Sequence, residues 1–420
     1  MFSSSPRSLR LLVASLAVGV LSVAAPPIAG AAPQSGAAPQ ALAQSPSCAA
    51  GAAPPAPVDT SEKPAPGQTV PPPLPVPAQP VGGPLLGSCD TILPPGAPPL
   101  PAGDTAASWV VQDLDTGNVI AAKNPHARER PASLIKTLLA LVVVTELKPD
   151  KIVVPTEEDA KQECTCVGIS AGAPYTVDQL LHGLLMHSGN DVAHAFATAL
   201  GGVDVAVGKM NRLAARIGAT DTRAATPSGL DGPGMSTSSY DLSLIFHYAM
   251  KQQAFAQAVA TKAYTIPATG GKPPIPVFND NKLLGVYPGF LGGKTGFTDD
   301  ARHTYVGAAE RDGHRLAVVM MRAEQRPTLV VAQAGKLLDY SFALEDKHAA
   351  PVGRIAYEAL VATAPPGAPP VNVAPAAAKS AAPVKPDPFG TTGWILTLVV
   401  AVIIVAGFSL RHRLRKQRSS

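Results

Sequence analysis

Three short stretches of this sequence carry residue types whose spacing suits nucleophilic catalysis. In Pro131-Ala132-Ser133-Leu134-Ile135-Lys136, a serine stands one helical turn before a lysine, where a polar loop runs into an apolar helix. Spacing i, i+3 brings both side chains to one helix face. A serine hydroxyl attacks a carbonyl only when a base takes its proton, and a lysine becomes that base once burial or a nearby cation lowers its pKa. A helix N-terminus at the same spot offers backbone N–H groups to a developing oxyanion. Ser-x-x-Lys also arises by chance in a chain of 420 residues, so the pair needs company.

Ser188-Gly189-Asn190 lies between two amphipathic segments. It reads either as an interhelical turn with Asn190 as N-cap, or as a hydroxyl and an amide lining a cleft, one relaying a proton and the other holding a substrate carbonyl. Lys294-Thr295-Gly296, within Gly292-Gly293-Lys294-Thr295-Gly296-Phe297-Thr298, falls where a strand is expected. Glycines weaken a strand unless something must approach it closely. A peptide adding itself as a further strand would do so, with Lys294 and the Thr295 hydroxyl taking its terminal carboxylate. A phosphate loop is the competing reading, but the Walker spacing is missing.

These groups need a frame. Ser108 to Leu114 and Val119 to Ala122 are β-prone runs around the turn Asp115-Thr116-Gly117-Asn118, which predicts a hairpin. Thr304 to Ala309 and Arg315 to Met321 predict a second, around Arg311-Asp312-Gly313-His314. Between them the apolar period turns helical: after Ser133, across Val177 to Met186, Asp191 to Leu200, Val203 to Ile217 and Ser239 to Met250. Strands at both ends with helices between imply an α+β fold whose terminal hairpins meet in one sheet.

Taken in order, Ser-x-x-Lys, Ser-x-Asn and Lys-Thr-Gly make the chain resemble the penicillin-binding proteins and serine β-lactamases. Ser188-Gly189-Asn190-Asp191, Pro227-Ser228-Gly229-Leu230-Asp231 and Lys294-Thr295-Gly296-Phe297-Thr298 resemble more narrowly the low-molecular-weight D-alanyl-D-alanine carboxypeptidases. The resemblance implies an antiparallel sheet covered by helices on both faces with a helical lobe, the site lying between sheet and lobe. It makes Ser133 the acylated nucleophile, Lys136 its base and Ser188 the proton relay. Asn190 holds the substrate amide, Lys294 and Thr295 bind its carboxylate, and the N–H groups of Ser133 and Phe297 form the oxyanion hole. Peptidoglycan stem peptides and β-lactam antibiotics are the implied ligands. DD-endopeptidase, transpeptidase and β-lactamase activities on the same fold, or a binding module without turnover, are the rivals.

The ends of the chain are of another kind. Arg7 and Arg10, an apolar run from Leu11 to Ala25 and Ala29-Gly30-Ala31 read as a signal peptide over residues 1–31. Residues 32–104 and 346–392 are Pro/Ala-rich and read as linkers around a catalytic domain at 105–345. Residues 393–410 read as a transmembrane helix and 411–420 as a basic cytoplasmic tail, placing the catalytic domain outside the cell membrane. Seven of the 34 basic residues (Arg7, Arg10, Arg411, Arg413, Arg415, Lys416, Arg418) belong to these ends, leaving 27 against 30 acidic groups, so nothing points to nucleic acid. No cofactor or metal is expected: the nine histidines form no His-Glu-x-x-His pairing. His182, His187 and His194 read as surface or packing residues, His303 as close enough to the Lys294 segment to touch substrate, and Asp299-Asp300 as a turn. Among Cys48, Cys89, Cys164 and Cys166, a Cys48–Cys89 pair would staple the first linker, while Cys164-Thr165-Cys166 could be a ring or two thiols.

Overall fold

The computed structural model describes residues 51–163 and 165–355. The signal peptide, membrane helix and basic tail read from the sequence lie outside the described residues. Among those described, no helix is long and apolar enough to cross a membrane.

The two expected hairpins form and pair with each other. In chain order the elements are β1 (Thr91–Ile92), β2 (Ser108–Asp113), β3 (Asn118–Lys123), a 3-10 turn (Ala132–Ile135), α1 (Lys136–Glu146), β4 (Ile152–Val153), α2 (Glu157–Ala160), β5 (Tyr175–Thr176), α3 (Val177–Met186), α4 (Asn190–Ala199), α5 (Val203–Ile217), α6 (Ser239–Met250), α7 (Gln253–Ala260), β6 (Ala263–Ile266), β7 (Ile275–Phe278), β8 (Phe290–Thr298), β9 (Arg302–Arg311), β10 (His314–Ala323), α8 (Val330–Glu345) and β11 (Gly353–Arg354). The main sheet runs β1-β3-β2-β10-β9-β8, with β11 also on β3, and every pairing in it is antiparallel. Val111 opposite Val318 joins the first hairpin to the second.

Alternation of side chains across the strands sorts them between two cores. Val110, Val119, Ala317 and Val319 face a large core built with α1, α3, α4 and α6, whereas Trp109, Val111, Val318 and Met320 pack beneath α8 through Leu337, Leu338 and Phe342. Helices on both faces of one antiparallel sheet give the α+β fold expected from the sequence. Local chemistry sets the helix ends. Thr176 and Gln179 form a capping box at the start of α3, and left-handed Gly218 (φ 86°) stops α5.

The first linker behaves otherwise than its composition suggests. Residues 51–104 are fastened to the catalytic domain, largely through their carbonyl oxygens, the one backbone hydrogen-bonding group that proline retains. Buried Arg128 donates from Nη1 to the carbonyls of Ala52 (2.8 Å) and Leu74 and from Nη2 to that of Pro75 (2.7 Å), while its Nε meets Asp221 at 3.1 Å. Arg223 donates to Pro72 O (2.9 Å), and the Val81 carbonyl meets His126 Nε2 (2.9 Å). Leu86 then enters the core, and Thr91 and Ile92 pair with Lys123 and Ala122. Cys89 and Cys166 are each disulfide-bonded, which removes the free-thiol reading for Cys166; Cys48 and Cys164 lie outside the described residues.

Candidate active site

The turn that carries Ser133 is built under constraint. Ala132 sits at φ 47°, a left-handed conformation that costs a non-glycine residue about 1–3 kcal/mol unless its surroundings enforce it. They do so from three sides. Thr304 Oγ1 on β9 donates to the Pro131 carbonyl at 2.9 Å. Gly229 presses so closely that a Cβ there would lie 1.9 Å from the Ala132 oxygen, and a Cβ on Gly296 of β8 would lie 2.9 Å from the Ser133 nitrogen. Ser133 occupies the 3-10 turn itself, and Lys136 opens α1 behind it.

Lys136 has no exposed surface, and its Nζ is the hub of the site. Nζ lies 2.8 Å from Ser133 Oγ, 3.4 Å from Ser188 Oγ, 2.8 Å from Asn190 Oδ1 and 2.7 Å from the Ser228 carbonyl oxygen. The structure thus joins the first two motifs in one cluster. Burial, then the charge of Lys294, drives the Lys136 pKa well below its ordinary value, with Asp191 opposing. That is the condition under which a lysine can act as a base near neutrality.

Asn190 is the first residue of α4, but its side chain does not cap the helix. Its Nδ2 donates to Glu163 O (2.6 Å) while its oxygen faces Lys136. The next residue, buried Asp191, accepts N–H groups from Val167 (3.0 Å), Gly168 (2.7 Å) and Ile169 (3.2 Å), which anchors the loop over the start of α4. Ser188 holds φ 63°, turning its hydroxyl toward Lys136.

Lys294, Thr295 and Phe297 lie on β8, the terminal strand of the sheet order, opposite Val306, Tyr305 and His303 of β9. Lys294 is buried, and its Nζ donates to its neighbour's carbonyl, Thr295 O, at 2.6 Å. Burial brings its pKa down to about 8, with Asp280 opposing. Gly296 leaves no room for a Cβ beside the Ser133 nitrogen, and Phe297, the next residue, is 47 % exposed.

The histidines divide as well. His182 stacks on Tyr264 (4.1 Å between centroids) and His194 Nδ1 meets Asp159 at 2.6 Å, both serving packing. His187 pairs with Asp280 at 3.5 Å, and His303 tilts against Phe297 at 4.6 Å. Asp299 and Asp300 make the turn between β8 and β9.

Two site features lie in a stretch that motif reading quoted without giving it a role. The Ser228 carbonyl accepts from Lys136, but a backbone oxygen leaves no side-chain signature. Asp231, which closes the Pro227-Ser228-Gly229-Leu230-Asp231 stretch, has a carboxyl whose pKa burial and the charges of Asp300 and Glu62 raise to about 6, against Thr298 and Arg130. Glu62 itself comes from the proline-rich segment.

Known proteins share this sequence and this fold. The profile of the peptidase S11 family, described as D-alanyl-D-alanine carboxypeptidase, matches residues 98–325. D-alanyl-D-alanine carboxypeptidase DacB2 of Mycobacterium tuberculosis is 48 % identical over 258 residues, 60 % of this chain and 87 % of that one. A crystal structure of a D-alanyl-D-alanine carboxypeptidase from the same organism is similar with TM-score 0.59 and 46 % identity, over 63 % of this chain and 99 % of that one. The Streptomyces K15 DD-transpeptidase is similar with TM-score 0.55 and 28 % identity, over 59 % of this chain and 99 % of that one. A buried lysine on a serine, a second serine and an amide, set beside a Lys-Thr-Gly edge strand, therefore sits in a matching sequence and fold: the chain belongs to the peptidase S11 family of serine D-alanyl-D-alanine carboxypeptidases.

Proposed function

We propose that this chain removes the terminal D-alanine from peptidoglycan stem pentapeptides through an acyl-enzyme on Ser133, and that β-lactams acylate the same hydroxyl. The observation that carries the reading is the 2.8 Å contact between the buried, weakly basic Lys136 amine and Ser133 Oγ. Substrate lies along β8, its terminal carboxylate on Lys294 and Thr295 and its amide on Asn190. Neutral Lys136 takes the Ser133 proton as Oγ attacks the carbonyl of the penultimate D-alanine, and the N–H groups of Ser133 and Phe297 hold the oxyanion. Collapse expels D-alanine, whose amine receives a proton by way of Ser188, and water then releases the shortened peptide.

The same reading places the catalytic domain outside the cell, exported by residues 1–31 and held by a membrane helix at 393–410. Incubating the purified protein with a stem pentapeptide tests the chemistry: free D-alanine and the tetrapeptide acid are the expected products. Transfer of the acyl group to an added amine in preference to water would make it a transpeptidase. Protease protection of right-side-out membrane vesicles tests the topology, since cleavage of the catalytic domain from outside is expected and full protection would contradict it.

A further inference from the structure

The proline-rich segment does more than connect. Both of its legs are gathered on Arg128, and the part between them reaches the turn at the end of β8. There the Val58 N–H donates to Asp300 Oδ1, and the Ser61 hydroxyl lies 3.5 Å from Asp300 Oδ2. Glu62 makes a two-point ion pair with Arg130, Oε1 on Nε and Oε2 on Nη2 at 2.9 Å. Arg130 is 2 % exposed and stands three residues before Ser133. Burial works against its charge, but the hydrogen bonds and charge of Glu62, backed by Asp300 and Asp231, outweigh it and raise its pKa.

Arg130 is joined directly to the strained turn. Pro131 follows it, then Ala132 at φ 47° and Ser133. Thr304, Gly229 and Gly296 hold that turn from β9, the 226–231 loop and β8. Arg130 is the fourth support, and its ion-pair partner comes from the loop. A buried guanidinium deprived of its carboxylate is left uncompensated and must shift or recruit another partner, and in Arg130 that shift starts three residues from the nucleophile.

We propose that Glu62 is a positioning residue for acylation: acting through Arg130, the proline-rich loop sets the turn that presents Ser133. The loop thereby bears on the reaction at one point, without touching the reacting atoms. The inference rests on Ser133 being the nucleophile.

Rapid mixing of the full-length protein with a fluorescent penicillin tests it by separating the limiting acylation rate from the half-saturating concentration. Glu62→Gln keeps the shape and removes the charge. Its limiting rate is expected to fall about 10- to 100-fold, the loss that a small misplacement of a reacting group produces, with half-saturation moving less than about threefold. Lys63→Gln, at the exposed neighbouring position, is expected to match the wild type in both. Arg130→Lys, which keeps the charge but not the fork, is expected to lose rate in the same way. Should Glu62→Gln fail to fold, Glu62→Asp, which draws the charge back from the guanidinium, is read in its place.

A wild-type limiting rate in Glu62→Gln overturns the inference. So does a loss that tracks melting temperature across the variants or is shared by Lys63→Gln, because the loop would then be merely structural. The unmodified protein tests the functional reading separately: if it is never acylated that reading fails, whereas normal acylation of both wild type and Glu62→Gln removes only the role of the loop.

Discussion

Lys294 stands near enough to Lys136 for its charge to be the largest influence after burial on the basicity of that second amine. In the proposed mechanism the two lysines need opposite protonation states. Lys136 must be neutral to take the serine proton, and Lys294 must be charged to hold a carboxylate.

A bell-shaped pH profile follows. Activity on a peptide with a free C-terminus should rise as pH passes the depressed Lys136 pKa and fall as Lys294 loses its proton around pH 8. An amidated peptide carries no carboxylate for Lys294 to hold, so its alkaline limb should be much weaker. Measuring kcat/KM against pH for the matched pair checks this; superimposable alkaline limbs would remove Lys294 from carboxylate binding.

Ser133→Ala should abolish both labelling by a fluorescent penicillin and release of D-alanine. Lys136→Ala should keep the fold and slow acylation by about 10²- to 10⁴-fold, the usual worth of a positioned base. Circular dichroism with time-resolved labelling separates loss of chemistry from loss of structure, and labelling that survives Ser133→Ala would refute the nucleophile.

The penicilloyl enzyme should persist for many minutes. Efficient β-lactamases of related architecture activate the deacylating water with a glutamate between the second and third motifs. Here the carboxylates from Asn190 to Lys294 are all aspartates. Asp191 is committed to the 167–169 loop, and Asp221 and Asp241 to the interior. Timed loss of label after removing free drug measures the lifetime, and release of penicilloate within seconds would contradict the expectation.

Asp241 offers a test of stability. Burial and the charge of Asp221 raise its pKa to about 8, although Thr222 Oγ1 and the Asp221 N–H both donate to it at 2.7 Å. The folded state binds this proton more tightly than the unfolded chain. Its contribution is therefore full below the ordinary carboxylate pKa and is lost as pH rises toward and through 8. His126, where burial works against the charge but the contact with Asp221 outweighs it and raises the pKa, adds the same sign. Asp241→Asn should flatten the decline of melting temperature between pH 5 and 9, and an unchanged slope would show that Asp241 ionises freely in the fold.

The meeting of Ser133 with Lys136 and both hairpins were legible because they depend on side-chain type and period. Ser133 and Lys136 meet by helical spacing, and β2 meets β10 by apolar alternation. The short hairpin of β6 and β7 was not legible, since Pro276 within β7 reads as a strand breaker. For Asn190 the residues alone left a cap or a cleft open; only its distances to Lys136 and Glu163 decide against the cap. The first linker misled for a physical reason: its composition offers little apolar surface to bury, but Arg128, Arg223 and His126 hold it by its carbonyls.

That fastening runs in one direction, since the three side chains come from the catalytic domain and the segment answers with oxygens that every residue type possesses. The sequence between residues 52 and 75 is therefore free to drift at most positions without loosening its grip, and Glu62 is a rare point where identity counts. Related proteins could share this loop while showing almost no identity along it. Searching for it by matching the arginine pair, Arg128 and Arg130, with one upstream glutamate would find what residue-by-residue alignment passes over.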